Sequence, residues 1–317
     1  MSSKKKLLNG AVFLLIMLMT FYAVFHGQNL GQVWAAIKEM SALCLLLAVA
    51  TAIFFVSAEG MMIWYLLNSL RPGKCELFRC ISYSFIGFFY SGITPSATGG
   101  QPMQLYYMKK DGNPLADSSV VLMSVALIYK LVLVIIGVMI LMFWYAPLRG
   151  YLREYFGLYL IGLGLNTILV VILLAIMFAP DRMKKIICKI EGLLVKIKAL
   201  KPSDRRTEKI EGFVHGYEEA VGFFVSRKSK IAAVILFTFL QRMSVFFLTA
   251  IVYLGFSGKG SMILPVMMLQ ASVYIAVDML PLPGSQGITE LMYCNIFRGV
   301  FAVPYLMPSE WIWVLTA

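Results

Sequence analysis

The chain alternates long apolar runs with short polar connections over most of its 317 residues. A transmembrane helix needs about 20 predominantly apolar residues. Runs near that length or longer occur at 7–26, 41–67, 117–144, 156–179, 231–256 and 262–280, and shorter ones occur at 81–94 and 291–303. The pattern therefore predicts an all-α polytopic membrane protein with about six to eight transmembrane helices.

Two segments interrupt the apolar runs with helix breakers and small polar residues. They are 92–102, with the sequence GITPSATGGQP, and 280–287, with the sequence LPLPGSQG. Backbone that leaves the helix at bilayer depth is tolerated only inside protein or along a watery cavity. A pair of such breaks in corresponding halves of a chain is typical of a transporter binding site. We therefore expect two Pro/Gly-broken re-entrant hairpins with these segments at their tips.

The two breaks share a spacing. Pro95 and Pro281 each follow a 19-residue approach, 76–94 in one case and 262–280 in the other. A leucine and a tyrosine then follow each proline by ten and twelve residues, at 105 and 107 and at 291 and 293. Such spacing indicates an inverted repeat. Shared turn chemistry at two unrelated breaks is the alternative.

Composition and charge narrow the class further. The chain is 60% hydrophobic and only 14% charged, whereas soluble domains are about 25% charged. Thirteen of the 28 Lys and Arg residues lie between Arg182 and Lys230, as the positive-inside rule expects of a cytoplasmic loop. We predict one membrane domain over 1–317 with a basic helical insertion at 181–230, a cytoplasmic N-terminus and a plasma-membrane location. The positive charge is a topology signal, so no nucleic-acid partner is expected.

Ionisable residues inside apolar runs are functional candidates because burying a charge in the bilayer is costly. The candidates of this kind are Glu59, Lys130, Arg242, Asp278 and Glu290. Arginine grips a phosphate with paired hydrogen bonds and lysine acts on it as a point charge. The carboxylates would balance these cations or hold a cationic headgroup. The alternatives are purely structural ion pairs and, for Glu290, a helix cap.

Neutral groups at the two breaks are the remaining candidates for substrate binding. They are Thr94, Gly99, Gly100, Gln101, Gly284, Ser285, Gln286 and Gly287. Backbone amides at the glycines can bind an anion where they open a helix. Their alternative role is to satisfy backbone groups freed by the break. Five cysteines without CxxC spacing and two histidines predict no metal, no cofactor and no catalytic residue.

The two motifs resemble those of the lysylphosphatidylglycerol synthase transmembrane family, the flippase-like domain of multiple peptide resistance factors. The first match is TPSATGGQP at 94–102, and the second is LPLPGSQGITE at 280–290. Ser285 and Gln286 depart from the Gly-Leu usual in the second motif. The resemblance implies movement of aminoacylated phosphatidylglycerol between leaflets. Full-length relatives add a soluble synthase domain; we expect none in this protein and therefore no lysyltransferase activity.

The leading hypothesis is a lipid flippase that passes a phospholipid headgroup through a polar groove between the hairpins. A scaffold for a separately encoded synthase and a membrane-embedded enzyme are the alternatives. The expected partner is a membrane phospholipid, with a separate synthase and self-association left open. The apolar residues before Ala317 also suggest the start of a further span. The lipid, the direction of movement and the energy source do not follow from the sequence.

Overall fold

A computed structural model describes residues 38–94, 98–179, 204–256, 258–280 and 288–302, with isolated positions between and beyond them. Every regular element in these ranges is helical, so the predicted all-α class is confirmed. The predicted first span at 7–26 lies outside the described residues. The same holds for 95–97 in the first break and 281–287 in the second.

Ten α-helices account for most of the described chain. They are α1 (Ala42–Leu70), α2 (Leu77–Gly92), α3 (Gly100–Lys110), α4 (Leu115–Phe143), α5 (Tyr145–Leu152), α6 (Phe156–Met177), α7 (Asp204–Ser226), α8 (Lys228–Gly255), α9 (Ile263–Val277) and α10 (Ile288–Phe297). Short 3-10 turns, Arg153–Tyr155 and Gly260–Met262, precede α6 and α9. Among the residues that the structure describes, five segments are long and apolar enough to cross a membrane: α1, α4, α5 with α6, α8, and Gly260–Val277. The chain is a multi-pass membrane protein.

Helix α4 lies at the centre of the bundle. It packs against α1, α3, α6, α7, α8 and α9. Its buried side chains are mostly valine, leucine and isoleucine, which have high hydropathy and fill the space between neighbouring helices. By contrast, α1 exposes large apolar side chains such as Leu43, Leu46 and Ile53. We expect this surface to contact lipid.

Helices α2 and α3 form a hairpin that is too short to cross the bilayer. With 16 and 11 residues they are about 24 and 17 Å long, against a hydrocarbon core of about 30 Å. Their open ends are joined by Arg79, which donates two hydrogen bonds to Asp111 at 2.6 and 2.7 Å. The chain thus enters and leaves on one side, as expected of a re-entrant hairpin. We call this the basic side and define it by Arg71, Arg79, Asp111 and Lys230.

The second half of the helical bundle repeats the first. Helices α8 and α9 begin at Lys228 and Ile263, and α1 and α2 begin at Ala42 and Leu77; the difference is 186 residues in both cases. The ends of these helices agree to within one residue after the same shift. Helices α3 and α10 agree to within two residues. Three consecutive helices, α1–α3, are therefore repeated as α8–α10.

The two copies of the repeat run in opposite directions. The Gln241 amide donates to the Phe55 carbonyl oxygen at 2.8 Å, and these two residues are equivalent under the 186-residue shift. On one side of this crossing Lys230 lies over the Tyr65 ring. On the other, Cys44 packs against the cluster that contains Ile251. Because the lower-numbered end of α1 meets the higher-numbered end of α8, the helices are antiparallel and the repeat is inverted.

Candidate functional site

Seven side chains from five helices converge near the middle of the helical bundle. They are Glu59 on α1, Gln104 on α3, Tyr129 and Lys130 on α4, Arg242 on α8, and Tyr274 and Asp278 on and just after α9. We call this set the mid-membrane cluster. Four of its members are the ionisable candidates Glu59, Lys130, Arg242 and Asp278.

The depth of the cluster follows from helix geometry. At about 1.5 Å per residue, Lys130 and Arg242 lie about 21–22 Å from the first residues of α4 and α8, which are about 42–44 Å long. Asp278 lies at a similar distance from the start of α9. Glu59 lies in the inner part of α1. Glu59, Lys130 and Arg242 therefore lie far from both ends of their helices, and Asp278, which directly follows the last residue of α9, lies at the depth of Lys130 because the two form an ion pair.

A chain of hydrogen bonds connects the two cations. Lys130 Nζ forms an ion pair with Asp278 Oδ2. The Tyr129 hydroxyl donates to Asp278 Oδ1 at 2.9 Å and lies 3.2 Å from the Tyr274 hydroxyl. Tyr274 in turn accepts from Arg242 Nη1 at 3.4 Å. Moving any one of these groups changes the hydrogen bonding of the next.

Arg242 is the most deeply buried charge of the cluster. Only 3% of its surface is exposed, and its guanidinium carbon lies 4.2 Å from the ring centre of Tyr129 and 4.6 Å from that of Phe55. Aromatic faces attract a guanidinium, which lowers the cost of burying it. Within the described residues no carboxylate lies within ion-pair distance of Arg242, and its Nε–H has no hydrogen-bond acceptor.

Glu59 is held by a neutral partner. The Gln104 amide donates to Glu59 Oε1 at 2.6 Å. Gln104 reaches this carboxylate by passing over Gly87, where an added Cβ would lie 2.2 Å from the Gln104 amide nitrogen. Glycine at 87 is therefore needed for the contact. The Arg242 charge also acts on the Glu59 carboxylate, so the two parts of the cluster are electrostatically connected.

The neutral candidates of the first break lie in its turn. Thr94 donates to the Tyr90 carbonyl at 2.7 Å and accepts from the Gly99 amide at 2.9 Å. Gly100 packs so closely on α2 that a Cβ would lie 2.7 Å from the Gly87 carbonyl oxygen. Gln101 is exposed on the first turn of α3. These contacts close the turn, and none of them reaches the mid-membrane cluster.

Candidates of the second break act on other residues than those of the cluster or lie outside the described residues. Glu290 is on the first turn of α10, where its charge acts on Cys294 and the buried Glu310. Cys294 Sγ lies 3.0 Å from Glu310 Oε2. Gly284, Ser285, Gln286 and Gly287 belong to the range 281–287 and are not described. Their role stays a prediction.

Comparison with known protein families identifies the family of this chain. The family model described as the lysylphosphatidylglycerol synthase TM region matches residues 7–305. This chain belongs to that family. It is also similar to a UPF0104 membrane protein of Pyrococcus horikoshii, with 26% identity over 230 residues that cover 70% of this chain and 67% of the relative. No solved structure matches the chain.

Three members of the cluster in this family member were missed from sequence alone. Tyr129 and Tyr274 are neutral aromatics in apolar runs, where they cannot be distinguished from packing residues. Gln104 could have been found from the repeat, because the 186-residue shift that relates residues 105 and 291 also relates Gln104 to Glu290. The predicted amide, Gln101, lies almost one helical turn too early to face Glu59.

The basic side of this family member carries its own ion pairs. Arg71 Nε lies 2.5 Å from Asp117 Oδ2, joining α1 to α4. The Arg79 guanidinium beside Asp111 holds the pKa of that carboxyl below its usual range. Both pairs are partly exposed, so we treat them as structural contacts that position the hairpin and the ends of the spanning helices.

Proposed function

We propose that this protein passes the polar headgroup of a phospholipid through the mid-membrane cluster, from one leaflet to the other. The observation that carries the proposal is that the acidic side chains of the cluster have hydrogen-bond partners, whereas one donor of Arg242 has none. Both carboxylates already accept hydrogen bonds, Asp278 from Lys130 and Tyr129, and Glu59 from Gln104. Arg242 Nε is a buried donor without an acceptor. The ligand that complements this arrangement supplies acceptor oxygens.

A phosphodiester has the required chemistry. Arginine and phosphate form short, charge-assisted hydrogen bonds, and the planar guanidinium presents its donors in a fixed geometry. Lys130 is paired with Asp278, and three hydrogen bonds link it to Tyr274, the acceptor of the Arg242 guanidinium. An arriving phosphate competes with Asp278 for Lys130. The ion pair therefore acts as the contact that the headgroup opens and that closes again when the headgroup leaves.

The surroundings of the cluster suit acyl chains. An apolar groove of about 350 Å³ lies between α4 and α8. It is lined by Val132, Ile135, Ala232, Ile235, Leu236 and Phe239. Val132 follows Lys130 by two residues and Phe239 precedes Arg242 by three. In this proposal the chains stay in the groove and the bilayer while only the headgroup enters the polar interior.

The family description supports a lipid of the phosphatidylglycerol class, because it names lysylphosphatidylglycerol. In such a lysyl ester the phosphate complements Arg242 and Lys130, and the ammonium groups complement Glu59 and Asp278. The cluster contains two cations and two carboxylates, which matches a headgroup with charges of both signs. We predict that the basic side faces the cytoplasm.

Leaflet exchange in reconstituted vesicles tests the proposal. The purified protein is placed in vesicles with fluorescent phosphatidylglycerol or its lysyl ester, and dithionite reports the fraction of label reaching the outer leaflet. A charged hydrogen bond contributes about 1.5–3 kcal/mol, so Arg242→Met should slow exchange by about 10- to 150-fold. Arg149→Met, at an exposed arginine on α5, is the matched control and should exchange within about twofold of wild type.

The same preparation distinguishes the alternatives. Exchange by the wild-type protein no faster than in empty vesicles rejects the proposal. Formation of lysylphosphatidylglycerol from charged tRNA and lipid would instead identify an enzyme. Retention of a soluble synthase on the immobilised protein, without exchange, would identify a scaffold. Thermal unfolding of each variant excludes loss of the fold as the cause of a slow rate.

A further inference from the structure

Buried polar atoms without partners are concentrated between α8 and α9. Within the described residues, seven buried side-chain polar atoms have no hydrogen-bond partner. Four of the seven belong to Arg242 (Nε), Thr249 (Oγ1) and Gln270 (Nε2 and Oε1). Thr249 and Gln270 are both 0% exposed. Such groups are normally hydrogen-bonded, so each exception requires an explanation, such as a water or an ion at the site.

Thr249 and Gln270 lie on the same side of the mid-membrane cluster, along the helical hairpin formed by α8 and α9. The register of the two helices follows from the Arg242–Tyr274 hydrogen bond and from the Phe246 and Tyr274 rings, whose centres are 6.2 Å apart. Thr249 lies seven residues, or about 10 Å, beyond Arg242, and Gln270 lies four residues, or about 6 Å, before Tyr274. Both displacements lead away from the cluster towards the connection at 256–262. We call this end the far side.

Helical spacing also places these groups on the facing surfaces. Residues three, four or seven positions apart share a helix face. Thr249 is seven positions from Arg242, and Gln270 is four and eight positions from Tyr274 and Asp278. Because Arg242 contacts Tyr274 across the interface, Thr249 and Gln270 continue the same interface. The polar surface therefore extends from the cluster towards the far side.

Thr249 differs from other threonines in the spanning helices. The hydroxyls of Thr51 and Thr167 donate to carbonyl oxygens one turn earlier in their own helices, at 2.7 and 2.8 Å. This is a common way in which a helix satisfies a threonine hydroxyl, and the buried Thr238 instead contacts Met62 Sδ at 3.1 Å. The Thr249 hydroxyl makes no such bond. Its hydrogen-bonding capacity is left for a group between the helices.

The first copy of the repeat lacks this polar surface. Under the 186-residue shift the equivalents of Thr249 and Gln270 are Ile63 and Ser84. Ile63 is apolar, and the Ser84 hydroxyl donates to the Val56 carbonyl oxygen at 2.6 Å. The hairpin of α1 and α2 is thus closed at the position where that of α8 and α9 carries free polar atoms. This difference between the two copies indicates that the polar surface belongs to the α8–α9 hairpin, between the cluster and the far side.

We propose that water molecules fill the space between α8 and α9 from Arg242 past Thr249 and Gln270 to the far side, and that this hydrated path is the exit of the headgroup. A polar, buried site with several hydrogen-bonding atoms is where ordered water is expected. The assignment of the headgroup to the path rests on the proposed function. The presence of water does not depend on it.

Cysteine accessibility tests the path directly. In a background whose five native cysteines are replaced, Thr249→Cys and Gln270→Cys are reconstituted and treated with a cationic methanethiosulfonate, which reacts with thiolate and hence in water. Both should be modified at least about tenfold faster than the controls Ser272→Cys and Ile63→Cys. Ser272 is buried on α9 two residues after Gln270, but its hydroxyl already donates to the Met268 carbonyl oxygen. Equal rates at all four positions would overturn the path.

Two further measurements keep the result interpretable. If a cysteine variant does not fold, hydroxyl-radical labelling of the native protein takes the place of the cysteine experiment. Phe246 on α8 should then be oxidised, whereas Tyr159, which is buried equally well on α6, should not be. Labelling of neither ring overturns the path. Reactive cysteines in a protein that exchanges no lipid reject the proposed function but keep the path. Normal lipid exchange with unreactive cysteines would reject the path but keep the proposed function.

Discussion

Replacing Asp278 by asparagine leaves Lys130 as an uncompensated cation in the middle of the membrane. In the wild type this lysine pairs with Asp278, whose other carboxylate oxygen accepts from Tyr129. Asparagine keeps the size of the side chain and one acceptor but removes the negative charge. The Lys130 ammonium must then be solvated by neutral groups, and the hydrogen bond from Tyr129 weakens.

The expected loss of stability follows from these changes. Removing one partner of a buried pair costs about 3–5 kcal/mol, and a lysine at the membrane centre costs about 2.5–3.5 kcal/mol by insertion. The two side chains are 13% and 10% exposed, so water relieves part of the cost. We expect Asp278→Asn to lower the free energy of unfolding by about 2–4 kcal/mol. Lys130→Met should restore at least about 1.5 kcal/mol in the double variant, because it removes the unpaired charge.

Unfolding by sodium dodecyl sulfate in mixed micelles, followed by circular dichroism, measures all four members of this double-mutant cycle. The matched control is Asp117→Asn, whose partner Arg71 is 45% exposed. Asp117 is itself buried, but water can solvate the exposed Arg71 guanidinium once the carboxylate charge is removed, so this control should cost no more than about 1 kcal/mol. A coupling energy between Lys130 and Asp278 below about 0.5 kcal/mol would refute the ion pair and its role as the contact that the headgroup opens.

Three shorter predictions concern the helix crossings and the basic side. Gly60→Val should lower the free energy of unfolding by about 1–3 kcal/mol, because a Cβ there lies 2.5 Å from the Ile81 backbone, whereas Gly164→Val, with open space around it, should not. Gly87→Ala should slow leaflet exchange as much as Gln104→Leu, since both remove the partner of Glu59; exchange at the wild-type rate would contradict this. Asp111 has a lowered pKa because of Arg79, so its carboxylate stabilises the folded state above about pH 4 and this contribution is lost as the pH falls through the folded pKa. The stability difference between wild type and Asp111→Asn should therefore narrow between pH 7 and pH 3, and a constant difference would argue against the pair.

The sequence predicted the class of the fold and the charged members of the cluster for simple reasons. Charges such as Lys130 and Arg242 are easily recognised in apolar runs. Pro95 and Pro281 are equally recognisable, because proline is unfavourable inside a helix and therefore predicts a break. Periodicity could not tell which carboxylate Lys130 would meet, because partner choice depends on how α4 and α9 cross. The spacing that suggested an inverted repeat recurs in the helix bounds.

Neutral polar residues were harder to assign. Gln101 lies beside the proline and glycines of the break and attracted attention for that reason, yet it is exposed. Gln104 contacts Glu59 because α3 turns that position towards α1 and because Gly87 leaves room for it. Both conditions depend on the tertiary packing of the helices, which the sequence pattern does not reveal. Gln270 is similar: only the packing of α9 on α8 reveals that its amide is buried without a partner.

Photo-crosslinking with a headgroup-labelled phosphatidylglycerol tests the central claim most directly. The lipid carries a diazirine on its glycerol headgroup, is incorporated in vesicles with the wild-type protein, and is activated before digestion and mass spectrometry. We predict adducts on Tyr129, Lys130 or Tyr274, and their loss in Arg242→Met. Adducts confined to residues at the helix ends, with the same pattern in Arg242→Met, would contradict the binding of a headgroup at mid-membrane depth.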